Sequence, residues 1–454
     1  MNRARIGALV SLAFALAAFF GREAHAAGEA KNVILLIGDG MGPAQRTLAY
    51  YGTGKEPAMN SMPVVGLMST EPAPARPDRV DVTDSAAAAT ALATGIKTYN
   101  EAISVDLARH PVPTILEAAK GAGKATGLVV TCQVNHATPA CFAAHDTTRE
   151  DYDAIAADYL TSRPDVILGG GTDYFLPAGQ GGARADGRNL EAEFAGAGYH
   201  LVHTASELEA TTATPLLGLF APKGLAPAID RDLPRDGALT DDNGSPRAAA
   251  VQPTLVQETQ RALGLLSRDP DGFFLMVEGS QIDWGCHAND AGYALGELEG
   301  FDAAVAAARE FAARDRHTLV VVLADHETGG LALGHSYEMN LIALRAQKAS
   351  AARLAAAIEA QPDQLDSTLR RYAGIDSLSA EERQAIVDAK KKAPVVASIL
   401  SDHAGLLWAS HDHSGVLIPV TADGQGASAF AGTFDNTEIP GKIARAMGID
   451  FPTR

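Results

Sequence analysis

Cysteine is scarce: Cys132, Cys141 and Cys286 are the three in a chain of 454 residues. An odd count permits at most one intrachain disulfide, which excludes a disulfide-built scaffold. Spacing alone leaves open whether Cys132 pairs with Cys141. Aromatic residues are also few, at 6%, against 46% hydrophobic content and 44 glycines. Small aliphatic side chains of this kind suit helices packed closely on a sheet, and the length gives ample material for a buried core. Positive charge is short as well. The 37 Lys and Arg face 55 Asp and Glu, a formal net charge of −18. An acidic surface argues against a nucleic-acid-binding module. It leaves anionic substrates open, because bound metal cations reverse the local field. Long apolar runs are missing beyond the N-terminus, so no later segment reads as a membrane span.

The N-terminus itself reads as an export signal. Arg3 and Arg5 form a basic n-region, Ile6 to Phe20 is an apolar run too short for a span, and Ala24-His25-Ala26 fits the small-x-small cleavage pattern. Residues 1–26 are therefore expected to be a signal peptide and 27–454 the mature domain, periplasmic or secreted. The competing reading is an uncleaved anchor. Cleavage would remove Arg3, Arg5, Arg22 and Glu23 and leave a mature charge of about −20.

Apolar β-rich runs alternate with helical stretches. Val33–Ile37, Thr126–Val130, Val166–Leu168, Phe273–Val277 and Leu319–Leu323 read as buried strands; Pro111–Lys120, Asp151–Leu160, Val251–Leu266 and Leu295–Ala313 read as helices. The alternation predicts an α/β fold, a mostly parallel central sheet flanked by helices on both faces. Two regions depart from it. Thr214 to Ala248 reads as a long irregular excursion. Tyr337 to Leu407, rich in Ala, Gln and charge, reads as a helical insertion beside the sheet edge that carries the chemistry.

That chemistry sits where strands end. Glu278, Asp283 and His287 follow one strand, and Asp325-His326 follows another; in open α/β sheets ligands bind at the carboxyl edge. Mixed carboxylate and imidazole donors suit divalent metals. The first strand runs into Gly38-Asp39-Gly40-Met41-Gly42, where glycines permit a tight turn and leave Asp39 at the strand end. The G-x-G-x-x-G dinucleotide spacing is absent there. Asp84-Ser85 opens an Ala-rich helix whose N-terminus favours an anion. A metal beside Ser85 would make it an alkoxide nucleophile, whereas the bland reading is a helix cap. His136-Ala137-Thr138-Pro139-Ala140 comes next, then Arg149, the basic residue here placed to grip phosphate in a bidentate fork. His411-Asp412-His413 closes the series, either as a further ligand cluster or as a solvated loop.

Taken in order, these pieces resemble the bacterial periplasmic alkaline phosphatases of the two-zinc, one-magnesium type. The resemblance rests on Gly38-Asp39-Gly40-Met41-Gly42, Val82-Thr83-Asp84-Ser85-Ala86-Ala87, Ala137-Thr138-Pro139-Ala140, Glu278-Gly279, Ile282-Asp283, His287, Ala324-Asp325-His326-Glu327-Thr328-Gly329-Gly330 and His413-Ser414-Gly415. It covers nearly the whole mature chain and implies an alkaline-phosphatase-like fold. It implies hydrolysis of phosphate monoesters to alcohol and phosphate through a phosphoserine, at alkaline pH. It also implies a first Zn2+ on Asp283, His287 and His413, a second on Asp39, Asp325 and His326 beside the nucleophile Ser85, and Mg2+ on Asp39, Thr138 and Glu278. Arg149 would clamp the nonbridging oxygens, with His136 and Trp284 as further substrate contacts. His136 stands where some members carry Asp, and it invites zinc to the third site. Trp284 stands where others carry Lys or His. Members of the family are commonly homodimers.

Other classes fit less well. A phosphodiesterase of the same superfamily has less use for Arg149, which suits a terminal phosphate. A sulfatase calls for a formylglycine-forming context, and Asp84-Ser85-Ala86 is not one. A non-catalytic periplasmic metal- or phosphate-binding protein has no need of Ser85 together with every ligand.

Overall fold

The computed structural model describes residues 30–76, 78–231, 233 and 251–452. The expected signal peptide lies outside the described residues, as does most of the excursion beyond residue 233. Strands are β1 (Asn32–Gly38), β2 (Val64–Ser69), β3 (Ala125–Gln133), β4 (Val166–Gly170), β5 (His200–Val202), β6 (Leu216–Leu219), β7 (Phe273–Gly279), β8 (Thr318–Leu323), β9 (Glu327–Thr328), β10 (Leu331–Leu333), β11 (Leu406–Trp408), β12 (His413–Ser414), β13 (Ile418–Gly424) and β14 (Gly432–Asp435). Ten of them form one sheet in the order β14-β2-β13-β8-β1-β7-β3-β4-β6-β5. Only β13 runs against its neighbours. The sheet is thus mostly parallel, with helices on both faces, as the alternation predicts.

All five expected strands form. β1, β3, β4, β7 and β8 are buried along their whole length, which is why they read as continuous apolar runs. Their registers align the strand ends: Ile37 lies opposite both Glu278 and Leu323, and Val130 lies opposite Glu278. The loops after β1, β3, β7 and β8 therefore open at one edge, side by side.

Helix starts are set by caps. The helix expected from Pro111 begins at Ile115, after a Thr114–Glu117 capping box; the one expected from Val251 begins at Leu255, after a Thr254–Gln257 box. The helix expected over Leu295–Ala313 is longer, Ala291–Asp315, with Asp290 as its N-cap.

Two regional readings need correction. The excursion from Thr214 is not irregular throughout, because Leu216–Leu219 forms β6, fully buried between β4 and β5. Its apolar run outweighs the flanking Pro and Gly. The stretch Tyr337–Leu407 carries helices Leu341–Ala346, Ala351–Ala360, Leu365–Ala373, Ala380–Asp388 and Lys392–Ala404, yet its last residues enter β11, which pairs with β10. Its helices gather a small core of their own around Leu354, Ile358, Leu369, Ile386 and Leu400. Ser401 Oγ ties it back by donating to Asn289 O at 3.0 Å. No helix among the described residues is long and apolar enough to cross a membrane.

Candidate metal centre

Asp39 leaves β1 in a turn that Gly40 completes at φ +71°. A Cβ on Gly40 would stand 2.8 Å from Thr328 Oγ1 and 2.9 Å from Asp283 Cα, so only glycine fits both the backbone and the space. Glu278 is the penultimate residue of β7, and the helix Gln281–His287 follows closely, placing Asp283 and His287 one turn apart on one face. Asp325 and His326 follow β8. Thr138 lies in the helix Ala137–Ala143 after β3. The short β9–β12 pairing sets His413 opposite Thr328. Eight residues expected as ligands thus come from five separate segments to one edge.

Their atoms converge. His287 Nε2 lies 3.2 Å from Asp283 Oδ2, and His413 Nε2 lies 3.6 Å from Asp283 Oδ1. The two Nε2 atoms are 3.1 Å apart. His413 Nδ1 is 2.8 Å from Thr83 O, and His287 Nδ1 meets His411 O. Those carbonyls take the Nδ1 hydrogens and turn both Nε2 atoms inward; burial opposes a charge on His287, but Asp283 raises its pKa to about 9, so without a cation its Nε2 holds a hydrogen toward Asp283. On the other side His326 Nε2 is 3.2 Å from Asp325 Oδ2 and 3.5 Å from Asp39 Oδ1. Asp283, His287 and His413 form one compact donor group; Asp39, Asp283 and His326 form another, with Asp283 in both. Asp325 joins the second through His326.

Burial tests whether these residues fit metals. Both Asp39 oxygens, Asp325 Oδ2, Glu278 Oε1, Thr138 Oγ1 and His136 Nδ1 are buried with no hydrogen-bond partner among the described residues. Leaving such atoms unpaired is costly, and cations satisfy them. Burial, then the charges of Asp325, Asp283 and Glu278, drives the Asp39 carboxyl well above the carboxylate range. Burial likewise pushes Asp325 up to about 8 and Glu278 to about 7. Asp283 goes the other way. Burial would raise it, but the hydrogen bond from His287 and the surrounding imidazoles hold it low. Burial keeps His326 well below the usual imidazole range, neutral and able to donate a lone pair. Hard oxygens around Asp39, Thr138 and Glu278 suit magnesium, and the nitrogen-bearing groups suit zinc. The donor set fits the metals.

Ser85 is the first residue of the helix Ser85–Thr94, buried, with Oγ 3.2 Å from His326 Nε2. It is not the cap: Asp84 Oδ1 accepts from Ala87 N at 2.9 Å. Asp84 has a second task. Its Oδ2 accepts from Arg149 Nη1 at 3.1 Å, while Arg149 Nη2 donates to His136 Nε2 at 3.3 Å. Burial opposes the guanidinium charge, but Asp84 more than offsets it and raises the Arg149 pKa. Burial and Arg149 push His136 down to about 3, so it stays neutral. His136 meets Trp284 edge to face, ring centroids 6.0 Å apart, and both line a cavity of about 440 Å³ with Tyr152, Tyr174, Lys223 and Gln281. The Asp84–Arg149 pair was hidden in the sequence, because Asp84 already satisfies the signature of an N-cap.

The cysteines are all buried free thiols. Cys132 and Cys141 are not bridged. Cys286 Sγ lies 3.7 Å from Gln45 Nε2 and belongs to neither donor group.

Chemistry of this kind, a buried hydroxyl and a pinned guanidinium beside cation-demanding carboxylates, is that of metal-dependent enzymes acting on phosphate esters. The alkaline phosphatase family model matches residues 30–449. Alkaline phosphatase 4 of Bacillus subtilis is 41% identical over 90% of this chain and 87% of its own. Streptomycin-6-phosphate phosphatase of Streptomyces griseus is 34% identical over 97% of this chain and 96% of its own. The crystal structure of the cold-active alkaline phosphatase from a psychrophilic Shewanella sp. superposes with a TM-score of 0.80 at 36% identity, covering 92% of this chain and 99% of that one. The alkaline phosphatase of the Antarctic bacterium TAB5 gives 0.68 at 32% identity, over 92% and 99%. Variants of that enzyme with one histidine replaced by Glu or Asp hold Mg in its M3 site. This chain belongs to the alkaline phosphatase family. It is a phosphatase with metal cofactors, and its substrates are phosphate monoesters.

Proposed function

We propose that the chain hydrolyses phosphate monoesters through a covalent phosphoserine on Ser85, at alkaline pH, with two zinc ions and one magnesium. The observation that carries this reading is the position of Ser85 Oγ, at a helix N-terminus and 3.2 Å from His326 Nε2. Asp283, His287 and His413 would hold the first zinc, Asp39, Asp325 and His326 the second, and Asp39, Thr138 and Glu278 the magnesium. Bound there, the ions lower the hydroxyl pKa and stabilise the attacking and leaving oxygens of an in-line displacement.

The chain's own residues do the rest. Ser85 Oγ attacks phosphorus, and the alcohol departs with the ester oxygen. Water then attacks the phosphoserine, frees Ser85 and releases phosphate. The free N–H groups of the first helical turn face the developing negative charge. Arg149, oriented by Asp84, binds nonbridging oxygens through both steps. Neutral His136 accepts from Arg149 and adds no charge to the clamp. His136, beside Thr138, would bear on which metal the third site takes; TAB5 variants with one histidine replaced by Glu or Asp hold Mg in their M3 site, which supports weighing a histidine there. The signal-like residues 1–26 support export to the periplasm or beyond, and 27–454 would be one catalytic domain with 337–407 as its insertion. Homodimerisation would follow family habit.

Turnover of a monoester, a diester and a sulfate ester by the zinc- and magnesium-loaded protein tests the reaction class, and the monoester should dominate. Arg149→Ser sharpens the test. A monoester dianion offers more free oxygens to a planar guanidinium than a diester does. A charge-assisted hydrogen bond contributes about 1.5–3 kcal/mol, so monoester kcat/KM should fall roughly ten- to a hundredfold. Inhibition by phosphate should weaken, and diester turnover should change far less. An equal fall in both would reduce Arg149 to local support.

A further inference from the structure

We infer that Thr328 is a positioning residue that joins the two zinc sites through one ordered chain of hydrogen bonds, from His326 through its own hydroxyl to Asp283. The inference rests on the ligand roles proposed above. Thr328 is fully buried. Its Oγ1 donates to Asp283 Oδ1 at 2.5 Å and lies 3.3 Å from His326 Nδ1. Both partners are thus proposed ligands, one at each site.

A hydroxyl has a single hydrogen. The shorter contact, at 2.5 Å, is to Asp283 Oδ1, a carboxylate oxygen with no hydrogen of its own, so that hydrogen goes to Oδ1. Toward His326 the same oxygen can then only accept. His326 must carry its hydrogen on Nδ1, and the Nε2 lone pair is left facing Asp39 Oδ1 and Ser85 Oγ, at 3.5 and 3.2 Å. One hydroxyl therefore fixes the tautomer of a ligand at the second site and the rotation of the carboxylate at the first. Asp283 is the residue present in both donor groups, so its orientation matters to each. With Oδ1 tied to Thr328, Oδ2 stays at 3.2 Å from His287 Nε2.

The hydroxyl is itself held. Thr328 N donates to Gly40 O at 3.2 Å, in the turn that carries Asp39. Its carbonyl accepts from Gln45 Nε2 at 2.8 Å, and Gln45 also donates to Glu327 Oε1 at 2.8 Å. Glu327 Oε2 in turn accepts from Ser414 Oγ, next to His413. A β-branched side chain on so fixed a backbone has little rotamer freedom. Thr328 thus links the Asp39, Asp283, His326 and His413 segments at one point.

Thr328→Val keeps the shape and removes both hydrogen bonds; Thr328→Ser keeps the hydroxyl. Zinc dissociation constants would be measured by chelator competition. The tautomer of His326 would be read by NMR of the histidine-¹⁵N protein with metal bound. Wild type should show Nδ1 protonated and Nε2 as ligand. Thr328→Val should weaken zinc binding about ten- to a hundredfold, the usual effect of losing such a partner, and Thr328→Ser should recover it. Unchanged zinc affinity in Thr328→Val overturns the inference. So does an Nε2-protonated His326 in wild type, a result that needs no variant to fold. Failure of wild type to bind zinc at all would overturn the ligand assignment beneath it instead.

Discussion

Ser85→Ala should fold like the wild type and lose nearly all phosphomonoesterase turnover. The two halves of that expectation come from different atoms. The helix Ser85–Thr94 is capped by Asp84, whose Oδ1 accepts from Ala87 N, so alanine at the first helical position removes no cap. The stability change should stay on the order of 1 kcal/mol, what one buried hydrogen bond to His326 contributes. The chemistry, however, loses its nucleophile. Without Ser85 Oγ the reaction has no covalent intermediate and must proceed by direct attack of water. A fall in kcat on the order of a thousandfold or more is expected, which corresponds to about 4 kcal/mol of transition-state stabilisation. Quenching a turnover with radiolabelled phosphate in acid, followed by peptide mapping, should place label on Ser85 in wild type and none in the variant. Label on another residue, or near-wild-type turnover, would refute the assignment. Asp84→Ala makes the contrast. It should cost stability as well as rate, because it removes the cap and frees Arg149.

Removing the metals should have the second large effect, and on stability as much as on rate. Asp39, Glu278, Asp283 and Asp325 are buried together, and several of their oxygens have no protein donor. Without cations, burial, joined at Asp39 and Asp325 by the charges of neighbouring carboxylates, pushes most of these carboxyls above their ordinary range. A site held at a thousand times its dissociation constant adds about 4 kcal/mol to the folded state. For a chain of this size, losing that amount at one site should lower Tm by about five degrees. Chelation should therefore abolish turnover and shift the melting curve together, and zinc with magnesium should restore both. Full activity after exhaustive chelation would contradict the metal-dependent reading. An unchanged Tm would show that the carboxylates are stabilised by something other than cations.

Much of this was legible in the residues. β1, β3, β7 and β8 are buried on both faces, so each carries a largely apolar run with its ligands at or after its carboxyl end. Edge and short strands gave weaker signals. Val64–Ser69 is half exposed along its length, and β13 carries Pro419 and Asp423 within a seven-residue strand. β5 is three residues long, and β6 is hidden among Pro and Gly. Helix starts were overrun where capping boxes at Thr114 and Thr254 set them, although the T-x-x-E and T-x-x-Q spacing was there to read.

The site divides the same way. Carboxylates and imidazoles at strand ends advertise themselves by type and place. Their supports do not. Thr83 and His411 serve His413 and His287 through backbone carbonyls, which no side-chain pattern reveals. The Asp84–Arg149 pair spans residues far apart in the chain, as does the Thr328–Asp283 bond. Both need the sheet edge to be assembled before they exist. The placing of Asp283 in both donor groups is likewise a product of the fold.

The most direct test of the account is anomalous diffraction from crystals of the purified protein, recorded above and below the zinc absorption edge. Two zinc peaks are expected, one among Asp283, His287 and His413 and one among Asp39, Asp325 and His326, with Ser85 Oγ beside the second. A third peak without zinc's anomalous signal should lie among Asp39, Thr138 and Glu278; zinc there would show His136 selecting the metal. An active enzyme whose crystals show no zinc at either group, or zinc only elsewhere, would contradict it.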